Sequence, residues 1–150
     1  MSEILLATDG SESAEAATRI AIDLAKATGD RLLVVTAWRE LQGDFGVPLS
    51  PLFPDVADIE RDHAREVADA AMAAATAAGV EAEAILRHGS PSREICAVAR
   101  ERKPRLIVIG SQGWSAAERA VFGSVSDSVL HHAPCAVLVV PADEVLARRT

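Results

Sequence analysis

Residues Arg105–Val129 read "RLIVIGSQGWSAAERAVFGSVSDSV". An apolar run of strand length ends in a glycine, and two more glycines follow before a helical pattern sets in. Two residues separate Gly110 from Gly113, nine separate Gly113 from Gly123, and the hydroxyl of Ser124 comes next. A nearly continuous apolar run suits a parallel strand covered on both faces. The loop leaving such a strand directs backbone N–H groups at the crevice above the sheet. Glycine there permits positive φ and lets a ligand come close to the backbone. A helix starting near Gly123 adds its first N–H groups and the positive end of its dipole, with the Ser124 and Ser126 hydroxyls beside them. These are the parts of a phosphate site built without lysine. GxxxxGK[ST] is absent, and neither this stretch nor "ATDGSES" supplies GxGxxG.

Working outward, the chain alternates between two periodicities. Strands are expected at Ile4–Thr8, Arg31–Trp38, Glu81–Leu86, Arg105–Gly110 and Ala136–Val140. "EAEAIL" alternates where the others are nearly continuous, which fits a more exposed edge. Between them lie helical patterns. Ala17, Ile20, Ala21, Leu24 and Ala25 share one face of the first, and Gly29 stops it. The second runs from Asp55 to Ala78 and stops at Gly79. The third opens with Ser90 as N-cap and Pro91 in the first helical position. The fourth begins within Ala116–Ser128 and ends near His132, before Pro134. Strands alternating with helices of this length predict right-handed crossovers and a doubly wound parallel sheet.

Composition bounds the function. The 150 residues suggest one domain, and the 49% hydrophobic content gives it enough to build a core. A net charge of −7 with no basic run disfavours a nucleic-acid partner. "MSEILLATDG" has neither a basic start nor a long apolar stretch, and no run approaches about 20 apolar residues. The expectation is a cytoplasmic protein with no membrane partner. Cys96 and Cys135 lack CxxC spacing and read as buried, reduced thiols.

"RELQGDFGVPLSPLFPDV" (Arg39–Val56) leaves the C-terminal end of the second strand, where ligands of open α/β sheets bind. It reads either as a cover over a ligand or as an ordinary loop. Asp9 projects from the end of the first strand, either making the Asp-Gly turn or meeting a ligand or its metal. His131 and His132 are adjacent on a helix and point apart, so they suit a helix C-terminus better than a metal. His63 and His88 lack partner spacing. Ser11, Ser13 and Ser124 are nucleophile candidates by type, without a legible base.

"Gly110-x2-Gly113-x9-Gly123-Ser124" followed by "VSDSVLHHAPCAVLVV" resembles the ATP-binding signature and closing strand of universal stress proteins. "ILLATDGSESAEAA" is similar to their opening strand and first helix, and "HGSPSREICAVARERKPRLIVIGS" to their third helix and fourth strand. The resemblance covers residues 1–141 and leaves 142–150 as a short tail. It implies an α/β fold of the adenine nucleotide α-hydrolase type: an open five-stranded parallel sheet, order 3-2-1-4-5, with helices on both faces. It implies ATP, with Mg²⁺, as ligand. Ile109, Gly110, Gly113, Gly123, Ser124, Val125 and Ser126 would hold ribose and phosphates. Ala7, Thr8 and Asp9 would line the other wall, with Asp9 able to meet the Mg²⁺. The backbone near Ala37 would recognise adenine. A homodimer through Ala136–Val140 is implied as well, since that strand would otherwise leave an apolar edge unpaired.

Gln112 stands where the family often has histidine or arginine, which bears on phosphate affinity. Arg105 replaces a frequent acidic residue away from the site, and Arg119 reads as a phosphate contact or a solvated charge. "SGGxDS" is absent, and the acidic pair, aspartate and lysine of a receiver domain are missing. The expected function is an ATP-binding regulatory module in stress response, acting with a protein partner that the sequence does not name. Two alternatives stand beside it. One is a nucleotide-free stress protein acting through dimerisation and partner binding. The other is a slow ATPase or self-phosphorylating protein.

Overall fold

A computed structural model describes residues 1–39, 51–53, 55–112 and 123–142. The elements run β1 (Glu3–Ala7), α1 (Glu12–Thr28), β2 (Arg31–Trp38), α2 (Asp55–Ala77), β3 (Ala82–His88), α3 (Pro91–Arg102), β4 (Leu106–Gly110), α4 (Ser124–His132) and β5 (Ala136–Val140). The strands form one parallel sheet in the order β3-β2-β1-β4-β5. This is the expected fold, and the alternating "EAEAIL" run does lie on an edge strand.

Side-chain alternation splits the core into two layers. Ile4, Leu6, Leu32, Val34 and Val108 face the alanine stripes of α1 (Ala17, Ala21, Ala25) and α2 (Ala68, Ala71, Ala75). Leu5, Ala7, Val35, Ile107 and Ile109 face Ile95, Val98 and Ala99 of α3 and Val129 of α4. Alanine at i and i+4 lets the helices settle close on the sheet. The large side chains that fill the space come from the strands, with Leu5, Leu6, Leu32 and Ile107 at 0% exposure. Truncating one of these leucines to alanine would cost about 2–5 kcal/mol.

The chain winds outward from β1 through β2 to β3, then crosses back to β4 on the other side of β1. The topological switch point therefore lies between β1 and β4, and the crevice over their C-terminal ends is where this architecture binds ligands. The ends of α1 are set locally. Ser11 Oγ accepts from the Ala14 N–H at 3.3 Å, and Gly29 takes φ +75° as the left-handed stop. Ser90 caps α3 without a side-chain hydrogen bond, and α3 ends on Lys103 at φ +52°, a left-handed residue with no glycine to signal it.

The opposite end of the sheet carries a charge network. Arg102 binds Glu83 through two nitrogens at 2.9 and 3.2 Å and Glu3 at 2.7 Å, and Arg31 bridges Glu3 and Glu81. The Arg102 guanidinium holds the Glu83 carboxyl below the usual carboxylate range. Arg105, with Nε 3.4 Å from the buried Asp30 carboxylate, belongs to this far end as expected. Cys96 is buried and Cys135 half-buried, and desolvation raises both thiols. Among the described residues no helix is long and apolar enough to cross a membrane.

Candidate functional site

The turn after β1 is stitched by its own side chains. Thr8 N–H donates to Val35 O at 3.1 Å, continuing the ladder past the strand. Thr8 Oγ1 accepts from the Gly10 N–H (3.3 Å) and Asp9 Oδ1 from the Ser11 N–H (3.0 Å), while Gly10 turns the chain at φ +80°. Asp9 thus does make the turn, and it does so at the mouth of the crevice.

The exit of β4 is clamped to the start of α1. Ser13 Oγ donates to Gln112 O and accepts from the Gln112 N–H at 3.1 Å. Ser13 is 3% exposed and its hydroxyl is engaged on both sides by the Gln112 backbone. Ser11 Oγ also reaches Gln112 O, at 3.3 Å. Gly110 owes its identity to this clamp: a β-carbon there would lie 2.5 Å from Ser13 Oγ and 2.7 Å from Ala14 N. The need is for space between strand and helix, not for positive φ.

Gly123 is the N-cap of α4, with φ −70° and ψ 163°, a conformation open to any residue. Its N–H donates to Ser111 O at 2.5 Å, and a β-carbon would sit 3.3 Å from that oxygen. Ser126 Oγ donates to the same Ser111 O (3.1 Å) and to Gly123 O (3.0 Å) and is 2% exposed. Through these two acceptors it closes the stem between β4 and α4. The N-cap of α4 is a glycine, so the N–H groups of its first turn, which lack intrahelical acceptors, receive no side-chain acceptor from the cap residue. Together with the helix dipole they form an anion-attracting end beside β4. Ser124 is exposed and Val125 half-buried at this end. Gly113, Arg119 and most of the segment after β2 (40–50 and 54) lie outside the described residues.

At the other end of the crevice, a cavity of about 190 Å³ is lined by Asp9, Thr36, Ala37, Trp38, Glu60, His63, Ala64 and Val67. It brings Asp9 and Ala37 together. From one face of α2 it also adds Glu60, Ala64 and Val67, which the sequence reading did not single out, and His63, which that reading set aside for want of partner spacing. Trp38 on its rim stacks on His88, ring centroids 4.3 Å apart. Thr36 lies in its wall at 2% exposure, and among the described residues Thr36 Oγ1 has no hydrogen-bond partner. A second cavity, of about 450 Å³, continues between α1 and α2 and shares His63 and Val67, with Thr8 and Gly10 in its lining. A third, of about 360 Å³, lies between α3 and α4 around Arg93, Arg100 and His132 and contains none of the expected site residues.

Chains of known kind share this fold. A universal stress protein of Thermus aquaticus, encoded beside a sulfhydrylase gene, is 38% identical over 138 residues, covering 91% of this chain and 96% of the relative. The universal stress protein UspA from Lactobacillus plantarum superimposes with a TM-score of 0.81 at 25% identity, over 93% of this chain and 97% of that one. A universal stress protein from Archaeoglobus fulgidus, solved in complex with dAMP, superimposes with a TM-score of 0.69 at 26% identity, over 93% and 97%. The universal stress protein family itself matches residues 1–141. With the sheet order, the whole-length likeness and the family match all in agreement, the chain belongs to the universal stress protein family.

Proposed function

We propose that this chain is an adenine-nucleotide-binding regulatory domain whose ligand is ATP with Mg²⁺. The observation that carries the reading is the convergence, at the β1–β4 switch point, of the Asp9 turn and the glycine-led start of α4: Ser13 ties the start of α1 to Gln112 at the exit of β4, and Gly123 and Ser126 tie α4 to the neighbouring Ser111. The dAMP complex of the Archaeoglobus relative supports the same ligand class. Charge sets the ligand's direction. Asp9 and Glu60 line the Ala37 cavity, where carboxylates repel phosphates and accept from an exocyclic amine. The α4 N-terminus attracts phosphates.

In this reading Ala37 presents its backbone to the base, and Ala7, Thr8 and Asp9 form the wall beside the ribose. Ile109 and Gly110 form the floor. The backbone at Gly113, Gly123, Ser124 and Val125 takes the phosphates, with the Ser124 hydroxyl added. Ser126 keeps the stem closed. Mg²⁺ would arrive with the phosphates, since among the described residues no group of three or more His, Cys, Asp or Glu fits a metal. The assigned role is binding that a protein partner reads, in a cytoplasmic setting.

Nucleotide-stripped protein tests this by thermal shift. ATP at about a hundred times its dissociation constant contributes about 2.7 kcal/mol, a rise of roughly 5–11 °C for a chain of this size. GTP should give less. No shift at millimolar ATP overturns the reading in favour of the nucleotide-free alternative, which draws its own support from the exposed Leu138 on edge strand β5. Release of ADP or labelling of the protein by radiolabelled ATP would identify turnover.

A further inference from the structure

We propose that Thr36 is a base-recognition residue, its hydroxyl donating to a ring nitrogen of the purine bound in the Ala37 cavity; this rests on the nucleotide-binding reading above. Thr36 has the same strand parity as Leu32 and Val34, which pack toward the α1 and α2 layer. It therefore faces α2, and it lines the cavity together with Asp9, Glu60 and His63. Every residue from Leu32 to Val35 on this strand is aliphatic and 0% exposed. Valine, isosteric with threonine, would continue that pattern. Thr36 instead buries a hydroxyl at 2% exposure, and among the described residues Oγ1 finds no partner. A buried hydroxyl without a hydrogen bond is destabilising, so its cost needs an offset in the bound state.

The chemistry of the wall narrows the partner. Ionised Asp9 and Glu60 can only accept hydrogen bonds, so they suit an exocyclic amine and leave the ring nitrogens unserved. The Thr36 hydroxyl is a neutral, buried donor in the same wall. The volume of about 190 Å³ is below that of cavities that hold a whole drug-sized ligand, and suits one part of a nucleotide. A site that hydrogen-bonds its ligand discriminates strongly against partners lacking the matching atom, because its own buried polar group is then left unpaired.

Thr36→Val separates this role from a local packing defect, because its two effects have opposite signs. In nucleotide-stripped protein the variant should melt higher than the parent, by about 2–4 °C, since the orphan hydroxyl is gone. By calorimetry it should bind AMP and ATP each about tenfold more weakly than the parent, a loss of about 1.4 kcal/mol. The factor should be the same for both nucleotides, because the contact is to the base. Thr36→Ser should keep most of the affinity. Parental affinity in Thr36→Val overturns the proposal while leaving nucleotide binding intact, and so does a loss for ATP that AMP does not share. A lower melting temperature of the stripped variant overturns it too, by revealing a partner within the protein. If the parent itself binds neither nucleotide, the underlying reading fails and takes this inference with it.

Discussion

Gly110 and Gly123 look equivalent in the sequence and differ in what they need. At Gly110 the obstacles to a β-carbon include the backbone nitrogen of Ala14, which no side-chain rotation can move. Gly110→Ala should therefore destabilise the fold by about 1–3 kcal/mol through overpacking, read as a lower urea midpoint at unchanged slope. Gly123 has ordinary dihedrals and a looser neighbour at 3.3 Å, so Gly123→Ala should cost less stability than Gly110→Ala in the same measurement. The two serines that follow divide in the same way. Ser126→Ala removes a buried hydrogen bond and should lower stability by about 0.5–1.5 kcal/mol. Ser124→Ala, at an exposed position, should leave the melting temperature of stripped protein near the parent's. It should weaken ATP by about ten- to a hundredfold, the range for a hydrogen bond to a charged group.

Among the elements, α3 carries two features that local sequence signals did not reveal. It stops at Lys103 in the left-handed region, φ +52°, where a side chain is strained. Lys103→Gly should raise stability by up to about 1 kcal/mol, visible as a higher melting temperature, because glycine takes that conformation freely. Its last turn also supplies Arg102, whose pairing lowers the Glu83 pKa. A lowered carboxylate pKa gives stability that is present above the unfolded value, about 4.3, and is lost as pH falls through the folded one. Arg102→Ala should thus flatten the loss of melting temperature between pH 5 and pH 3 relative to the parent. The effect will be modest, since the Glu83 side chain is 41% exposed and water screens the pair.

For the whole molecule, the open question is what covers β5. It ends the sheet, and its exposure alternates, with Ala136 and Leu138 outward and Val137 and Val139 packed into the layer under α3 and α4. Antiparallel pairing of two such edges across a two-fold axis would satisfy the free backbone groups and cover Leu138. Leu138, 36% exposed, is the side chain to test. Val139 packs into the chain's own core, where a lysine would damage the monomer. Leu138→Lys should convert a dimer to monomers in light scattering with little change in far-ultraviolet circular dichroism. A monomeric parent at micromolar concentration would refute the dimer.

Local pattern was enough for the order of elements, the parallel sheet and its exposed β3 edge. Apolar run length, 3.6-residue spacing and the Gly29 and Gly79 stops are all written within a few residues of where they act, and β2 and β5 begin and end where those signals place them. The glycine–serine spacing and the Asp9 turn marked where a ligand site should lie. What the residues there do was decided only in three dimensions. The clamp of Ser13 on Gln112 joins positions 99 residues apart and engages the Ser13 hydroxyl, and the close approach of α1 to β4 that goes with it explains Gly110. Thr36, Glu60 and His63 share a cavity because α2 lies across β2, which no periodicity along either segment encodes. A hydrogen bond or a void between distant segments leaves no repeat in the chain, so it becomes visible only once packing has brought them together.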